Sequence, residues 1–181
     1  MPHTSLVLTV IGADRPGLVE ALSEAVAAHG GSWLESRMAH LAGHFAGLLR
    51  VAVPEDRREA LEADLGRLEA RGLRVMIAPA RAATATPPAA PLRLDAVGQD
   101  RPGIVREIAR ALSAQGVNVE ELETHTDSAP MSGELLFHVS ARLRPPAGVG
   151  AEALRGALER IADELMVDLK LDEAGEGPGS A

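Results

Sequence analysis

The sequence predicts an α+β protein made of two tandem β-α-β-β-α-β units. Three observations carry that prediction. A strand-turn-helix segment occurs twice, hydrophobic periodicity alternates between strand and helix in the same order in both halves, and a Pro/Ala/Thr-rich stretch separates them. Ile11-Gly12-Ala13-Asp14-Arg15-Pro16-Gly17-Leu18-Val19 returns as Val97-Gly98-Gln99-Asp100-Arg101-Pro102-Gly103-Ile104-Val105, at an offset of 86. The repeat assigns residues 1–80 to a first domain, 81–91 to a linker, 92–173 to a second domain and 174–181 to a disordered tail.

Each element has a local reason. Ser5 to Ile11 is apolar and β-branched, the pattern of a buried strand. Leu18, Val19, Leu22, Ala25 and Val26 then line one helical face, and Ile104, Val105, Ile108, Ala111 and Leu112 repeat that spacing. Gly30-Gly31 and Gln115-Gly116 stop these helices, because glycine takes the left-handed conformation cheaply. Two strands follow, near 32–42 and 44–53, with counterparts near 118–127 and 133–142. Leu48, Leu49 and Val51 align with Leu136, Phe137 and Val139 at an offset of 88. A second helix carries Leu61, Leu65 and Leu68, or Leu154, Leu158 and Ile161, and closing strands run from Leu73 to Ile77 and from Val167 to Leu171. Right-handed crossovers in this order give a ferredoxin-like unit, a four-stranded antiparallel sheet with two helices on one face. Units this small are expected to pack against each other and to dimerise.

Composition narrows the function. The chain has 181 residues, 18 Lys+Arg against 26 Asp+Glu, and a net charge of −8. Residues 1–80 hold 8 basic and 10 acidic side chains, whereas residues 91–181 hold 9 and 16. That balance argues against phosphate-seeking proteins, and a 2% aromatic content leaves almost no stacking platform for bases. No helix-turn-helix segment lies outside the repeats, so direct nucleic-acid binding is not expected. There is no cysteine, hence no disulfide, thiolate metal site or thiol nucleophile. Without a basic n-region or a long apolar stretch, the chain reads as cytoplasmic, with no membrane span.

The duplicated Asp-Arg-Pro-Gly turn is the main functional candidate. Asp14 and Asp100 are placed to cap a helix through a side-chain oxygen. Pro16 and Pro102 suit a first helical turn, and Gly12 and Gly98 would let the chain turn as the strand ends. Gly17 and Gly103 would let a ligand approach exposed N–H groups, and such a helix start favours an anion such as a carboxylate. From the residues alone, the turn serves either as a capped turn copied with its domain or as a ligand loop.

These residues resemble the ACT domain, a small ferredoxin-like module that binds amino acids and regulates other activities. The resemblance spans nearly the whole chain as two copies. It rests on residues 10–19 and 96–105, and on Gly116-Val117-Asn118-Val119 at a helix-to-strand junction. Two copies with little else resemble the glycine cleavage system transcriptional repressor family. The resemblance implies an amino-acid effector held between the first loop of one copy and the second strand of a neighbour. Asp14, Arg15, Pro16, Gly17 and Leu18, with Asp100, Arg101, Pro102, Gly103, Ile104 and Asn118, are the positions it carries over. Copy one departs from it, because Ser32 stands where copy two has Asn118 and cannot offer both an amide donor and a carbonyl. It also implies a homodimer, a regulatory partner protein and a part in transcriptional control of glycine and one-carbon metabolism; the alternative is an ACT module that only dimerises or docks.

Other residues have plainer readings. His40 and His44 straddle a predicted hairpin and read as exposed turn residues, since a metal site would want a further ligand with suitable geometry, and His125 with Asp127 is a similarly weak signal. No metal and no cofactor is expected. Trp33 reads as a core or interface anchor, and Glu120, Glu121 and Glu123 as a charged sheet edge. There is no nucleophile elbow or phosphate-binding loop, and both halves are occupied by the repeats, so no enzyme is expected.

Overall fold

The computed structural model describes residues 2–81, 90–129, 133–149 and 151–174. The chain divides into two compact units, Met1–Thr84 and Ala85–Ala181. Most of the linker, residues 82–89, and of the tail, residues 175–181, lies outside the described residues.

Unit 1 runs β1 (His3–Ala13), α1 (Leu18–Ala28), β2 (Ser32–Leu41), β3 (His44–Pro54), α2 (Arg58–Arg67) and β4 (Leu73–Pro79). Unit 2 runs β5 (Leu92–Gln99), α3 (Ile104–Ala114), β6 (Asn118–Ser128), β7 (Leu135–Arg144), α4 (Ala151–Leu165) and β8 (Val167–Glu173). The sheets are antiparallel, with strand orders β2-β3-β1-β4 and β6-β7-β5-β8. Each is therefore a ferredoxin-like sheet with two helices on one face. Leu6, Leu8 and Val10 of β1 pack beneath Leu22 and Val26 of α1 and Leu61 and Leu65 of α2. Leu92, Leu94 and Ala96 of β5 do the same beneath Ile108, Leu112, Leu154 and Leu158. His29, at the end of α1, bonds Asp64 of α2 and ties the two helices together. Among the described residues, no helix is long and apolar enough to cross a membrane.

Register corrects the repeat alignment. Leu6 pairs with Val51 and Leu92 with Leu143, so β3 and β7 correspond at an offset of 92 rather than 88. The buried set Leu49 and Val51 thus matches Ala141 and Leu143. The hairpin accounts for it: β2 and β6 still correspond at 86, but two residues lie between the paired Leu41 and His44 and eight between the paired Asp127 and Leu136. Both edge strands carry a bulge at the same repeat position, between Trp33 and Glu35 and between Val119 and Glu121. Ala21 enters the core while Val19 stays half exposed, so the buried face of α1 is rotated from the one its apolar pattern implied. Trp33 packs against the unit 1 core, as expected of an anchor.

The glycines divide by role. Gly30 and Gly116 take φ +67° and +68° and end α1 and α3 as expected. Gly12 and Gly98 are not turn residues: both lie within strands and pair with Leu73 and Val167. A Cβ on Gly12 would stand 2.4 Å from the Gly72 carbonyl oxygen, and one on Gly98 2.4 Å from Val167 Cγ1. Gly12→Ala is expected to destabilise unit 1 by ~1–3 kcal/mol through overpacking. Gly66→Ala, in helix α2 with open space around it, should instead stabilise by up to about 1 kcal/mol. Urea unfolding followed by Trp33 fluorescence separates the two outcomes.

Candidate functional site

The Asp-Arg-Pro-Gly turns leave β1 and β5 and enter α1 and α3. Gly17 and Gly103 are the N-cap residues, with φ +87° and +102°, and no side chain caps either helix. This corrects the capping role given to Asp14 and Asp100. The left-handed glycines delay each helix to residues 18 and 104, leaving the aspartates three residues short of the N-cap. Pro16 and Pro102 likewise sit in the turn, ahead of the helix. Each aspartate instead anchors the loop through its backbone: Asp14 N–H donates to Gly43 O at 2.9 Å, and Asp100 N–H to Leu135 O at 2.8 Å. The exposed Asp14 carboxylate also lies 3.7 Å from His40 Nε2.

The arginines reach the other way. Arg101 donates to the Glu164 carbonyl near the end of α4 at 3.3 Å, which suits a cation beside helix-terminal carbonyls. The Arg15 guanidinium lies over Gly72, ahead of β4. Leu18 and Ile104 turn their side chains into the core, so neither side chain is presented at the turn.

The two loops differ in one respect that the sequence pattern passed over. A Cβ on Gly17 would meet Glu20 Oε2 at 3.7 Å, whereas one on Gly103 would meet Arg106 Nη2 at 3.8 Å. Residues 20 and 106 are repeat partners at offset 86, so copy one sets a carboxylate beside its helix start and copy two a guanidinium. Arg106 is held by Glu107, with Nη2–Oε1 2.8 Å. The start of α3 thus carries a guanidinium paired with a carboxylate, where the start of α1 carries a carboxylate.

Asn118 is exposed and opens β6 opposite Arg144. The Asp100 turn lies at the other end of that sheet, beyond the Gln99–Leu136 pair, eight residues along β7 and roughly 27 Å away. No single unit brings Asp100 and Asn118 together, and in unit 1 Ser32 and Asp14 are separated in the same way. A site using both must draw them from different modules.

The open face of unit 2 is the other chemical surface. Arg93 bonds Asp95 with Nε–Oδ2 2.8 Å, and this hydrogen bond holds the Asp95 carboxyl below its ordinary value of 3.8. His125, Asp127 and His138 gather on the same face as a potential metal-ligating set.

Residues 4–77 and residues 93–162 each match the ACT domain family, so the chain belongs to that family as two tandem domains. It is 25% identical over 164 residues to the glycine cleavage system transcriptional repressor of Escherichia coli (strain K12), covering 88% of this chain and 85% of that one. A protein of unknown function from Galdieria sulphuraria superposes with a TM-score of 0.82 at 31% identity, covering 96% of this chain and all of the other. A crystal structure described as a putative glycine cleavage system transcriptional repressor has the same fold, with a TM-score of 0.70 at 20% identity over 95% and 98% of the two chains.

Two outcomes follow from this geometry. Because Asp100 caps nothing, Asp100→Ala should change folding stability by less than about 0.5 kcal/mol, against about 1 kcal/mol for loss of an N-cap. Urea unfolding followed by circular dichroism tests it. Because Asp95 has a lowered folded pKa, the small stabilisation it supplies is complete above its unfolded pKa. It is lost as pH falls through the folded value. Asp95→Asn should therefore cost up to about 1 kcal/mol at pH 7 and nothing in strong acid, read from unfolding midpoints across that range.

Proposed function

We propose that this ACT-domain chain is an amino-acid-responsive regulator in which unit 2 is the principal binding copy. The observation that carries this reading is the start of α3. Its N-terminal N–H groups have no side-chain cap, Gly103 leaves them open, and the Arg106 guanidinium stands beside them. That is a receptor for a carboxylate. Asn118 of a neighbouring module would supply the amide donor and carbonyl for the rest of the amino acid. Binding across two modules alters their relative arrangement, which is how a small ligand changes what a partner protein meets.

Similarity to the Escherichia coli repressor supports transcriptional control of glycine and one-carbon metabolism as the setting, and glycine and serine as the first ligands to try. The net charge of −8 favours action through another protein over direct contact with DNA. The reading is regulatory and not catalytic. Self-association is supported by an apolar groove between α3 and β6, lined by Val105, Leu112, Val119 and Leu122. In unit 1 the position of Val119 is taken by Trp33, which packs into its own core.

Calorimetry with a panel of amino acids is expected to show one site per chain. Arg106→Glu should weaken it about tenfold or more, as loss of a charge-assisted hydrogen bond does. Asp100→Ala should weaken it as well, and Asp14→Ala should leave it intact. No binding to folded protein at millimolar ligand overturns the sensor reading and leaves an interaction module. Leu122→Glu should shift the protein toward monomer in sedimentation if the groove joins copies.

A further inference from the structure

The sheet face of unit 2 that the helices leave open carries a cluster that the amino-acid reading does not use. His125 of β6 and His138 of β7 are a directly opposed cross-strand pair. Their rings stack with centroids 4.6 Å apart and planes 2° from parallel. Asp127 lies two residues along β6 and so projects from the same face. Its Oδ1 is 3.1 Å from His138 Nε2. One ring nitrogen from each histidine and one Asp127 oxygen lie within 4.8 Å of one another.

We propose that His125, Asp127 and His138 bind a divalent first-row transition ion such as Zn2+, with its remaining coordination positions open to the adjoining concavity. Two ligand atoms on a tetrahedral ion at about 2.0–2.1 Å stand about 3.3 Å from each other. The Asp127–His138 pair is already at that spacing. The His125 ring, exposed at the edge of the sheet, lies within 4.8 Å of both and completes the set by turning out of its stack on His138. Two imidazoles and a carboxylate are the donor set such ions take, and the chain offers no thiolate to compete.

The duplication supplies an internal comparison. By strand register, Ala39, Leu41 and Ala46 of unit 1 occupy the places of His125, Asp127 and His138. The same fold is built without any of the three, so none is there to hold the sheet together. A surface ion pair accounts for Asp127 and His138, but not for a second imidazole stacked on the first. The concavity beside the cluster, of about 460 Å3, is lined also by Arg93, Ser140 and Lys170. Asp95, Glu123 and Asp168 line it as well, so its formal charge is acidic on balance and suits a cation.

The test uses the untagged full chain with no amino acid present, so its outcome is independent of the sensor reading. Titration with Co2+ should give one ion per chain with tetrahedral ligand-field absorption, displaced by Zn2+. His125→Gln and His138→Gln should each weaken binding at least about tenfold. The double variant His40→Gln/His44→Gln, in unit 1, should leave binding unchanged. All three positions are exposed or half-exposed, and circular dichroism confirms that each variant is folded. Absence of stoichiometric Co2+ or Zn2+ binding at submillimolar metal overturns the inference. So does undiminished binding in folded His125→Gln or His138→Gln, or loss of binding in the unit 1 variant.

Discussion

Much of each unit depends on one close approach. β1 is bonded on both sides, to β3 and to β4, and at Gly12 it passes so near the start of β4 that a single methyl would collide with the Gly72 carbonyl. β5 meets β8 in the same way at Gly98. With no side chain there, the central strand keeps its ladder up to the turn. The turn is then held on two sides: the aspartate N–H joins it to the strand of the hairpin, and the arginine reaches toward the preceding end of the second helix. A loop fixed in this way presents its helix N–H groups in one orientation before any ligand arrives. Preorganisation of that kind reduces the ordering cost of binding.

The constraint is shared by both copies, and their chemistry is not. The backbone sets φ at Gly17 and Gly103 alike, yet the next helical turn brings Glu20 to one start and Arg106 to the other. The side chain beside otherwise alike helix starts thus differs in charge sign between the two copies. Duplication here kept the scaffold and let the side chains around it diverge.

The fold was readable because the two periodicities are strong and because the repeat confirms each of them. The β3/β7 alignment erred by four residues, an even number. Strand side chains alternate with period two, so a shift of four keeps every apolar residue on its face and leaves the pattern undisturbed. Only the ladder reveals it. The aspartates misled for a related reason: Asp before Pro-Gly looks like a cap, and nothing in the letters says that a left-handed glycine will delay the helix. Glu20 and Arg106 were visible as unlike partners in the repeat, but their place beside the glycines needed coordinates. His125 and His138 are thirteen residues apart in the chain, and the length of the β6–β7 loop alone sets them opposite each other.

The open sheet faces of the two units differ in polarity. A sheet covered on one side must bury every other residue of its central strands and is free to choose the rest. Unit 1 fills its free positions with Val7, Thr9, Leu48 and Met76. Unit 2 fills the same register with Arg93, Asp95, Ser140 and Lys170, and adds Glu123 and His125 from β6. The inward faces stay leucine-rich in both, since a polar residue there would lose its water without gaining a partner. Chemistry added on the outward face leaves the buried core unchanged. A family that keeps one side of its sheet apolar can therefore acquire a ligand-binding or metal-binding surface on the other by substitution alone, and the contrast between these two units is that freedom exercised within a single chain.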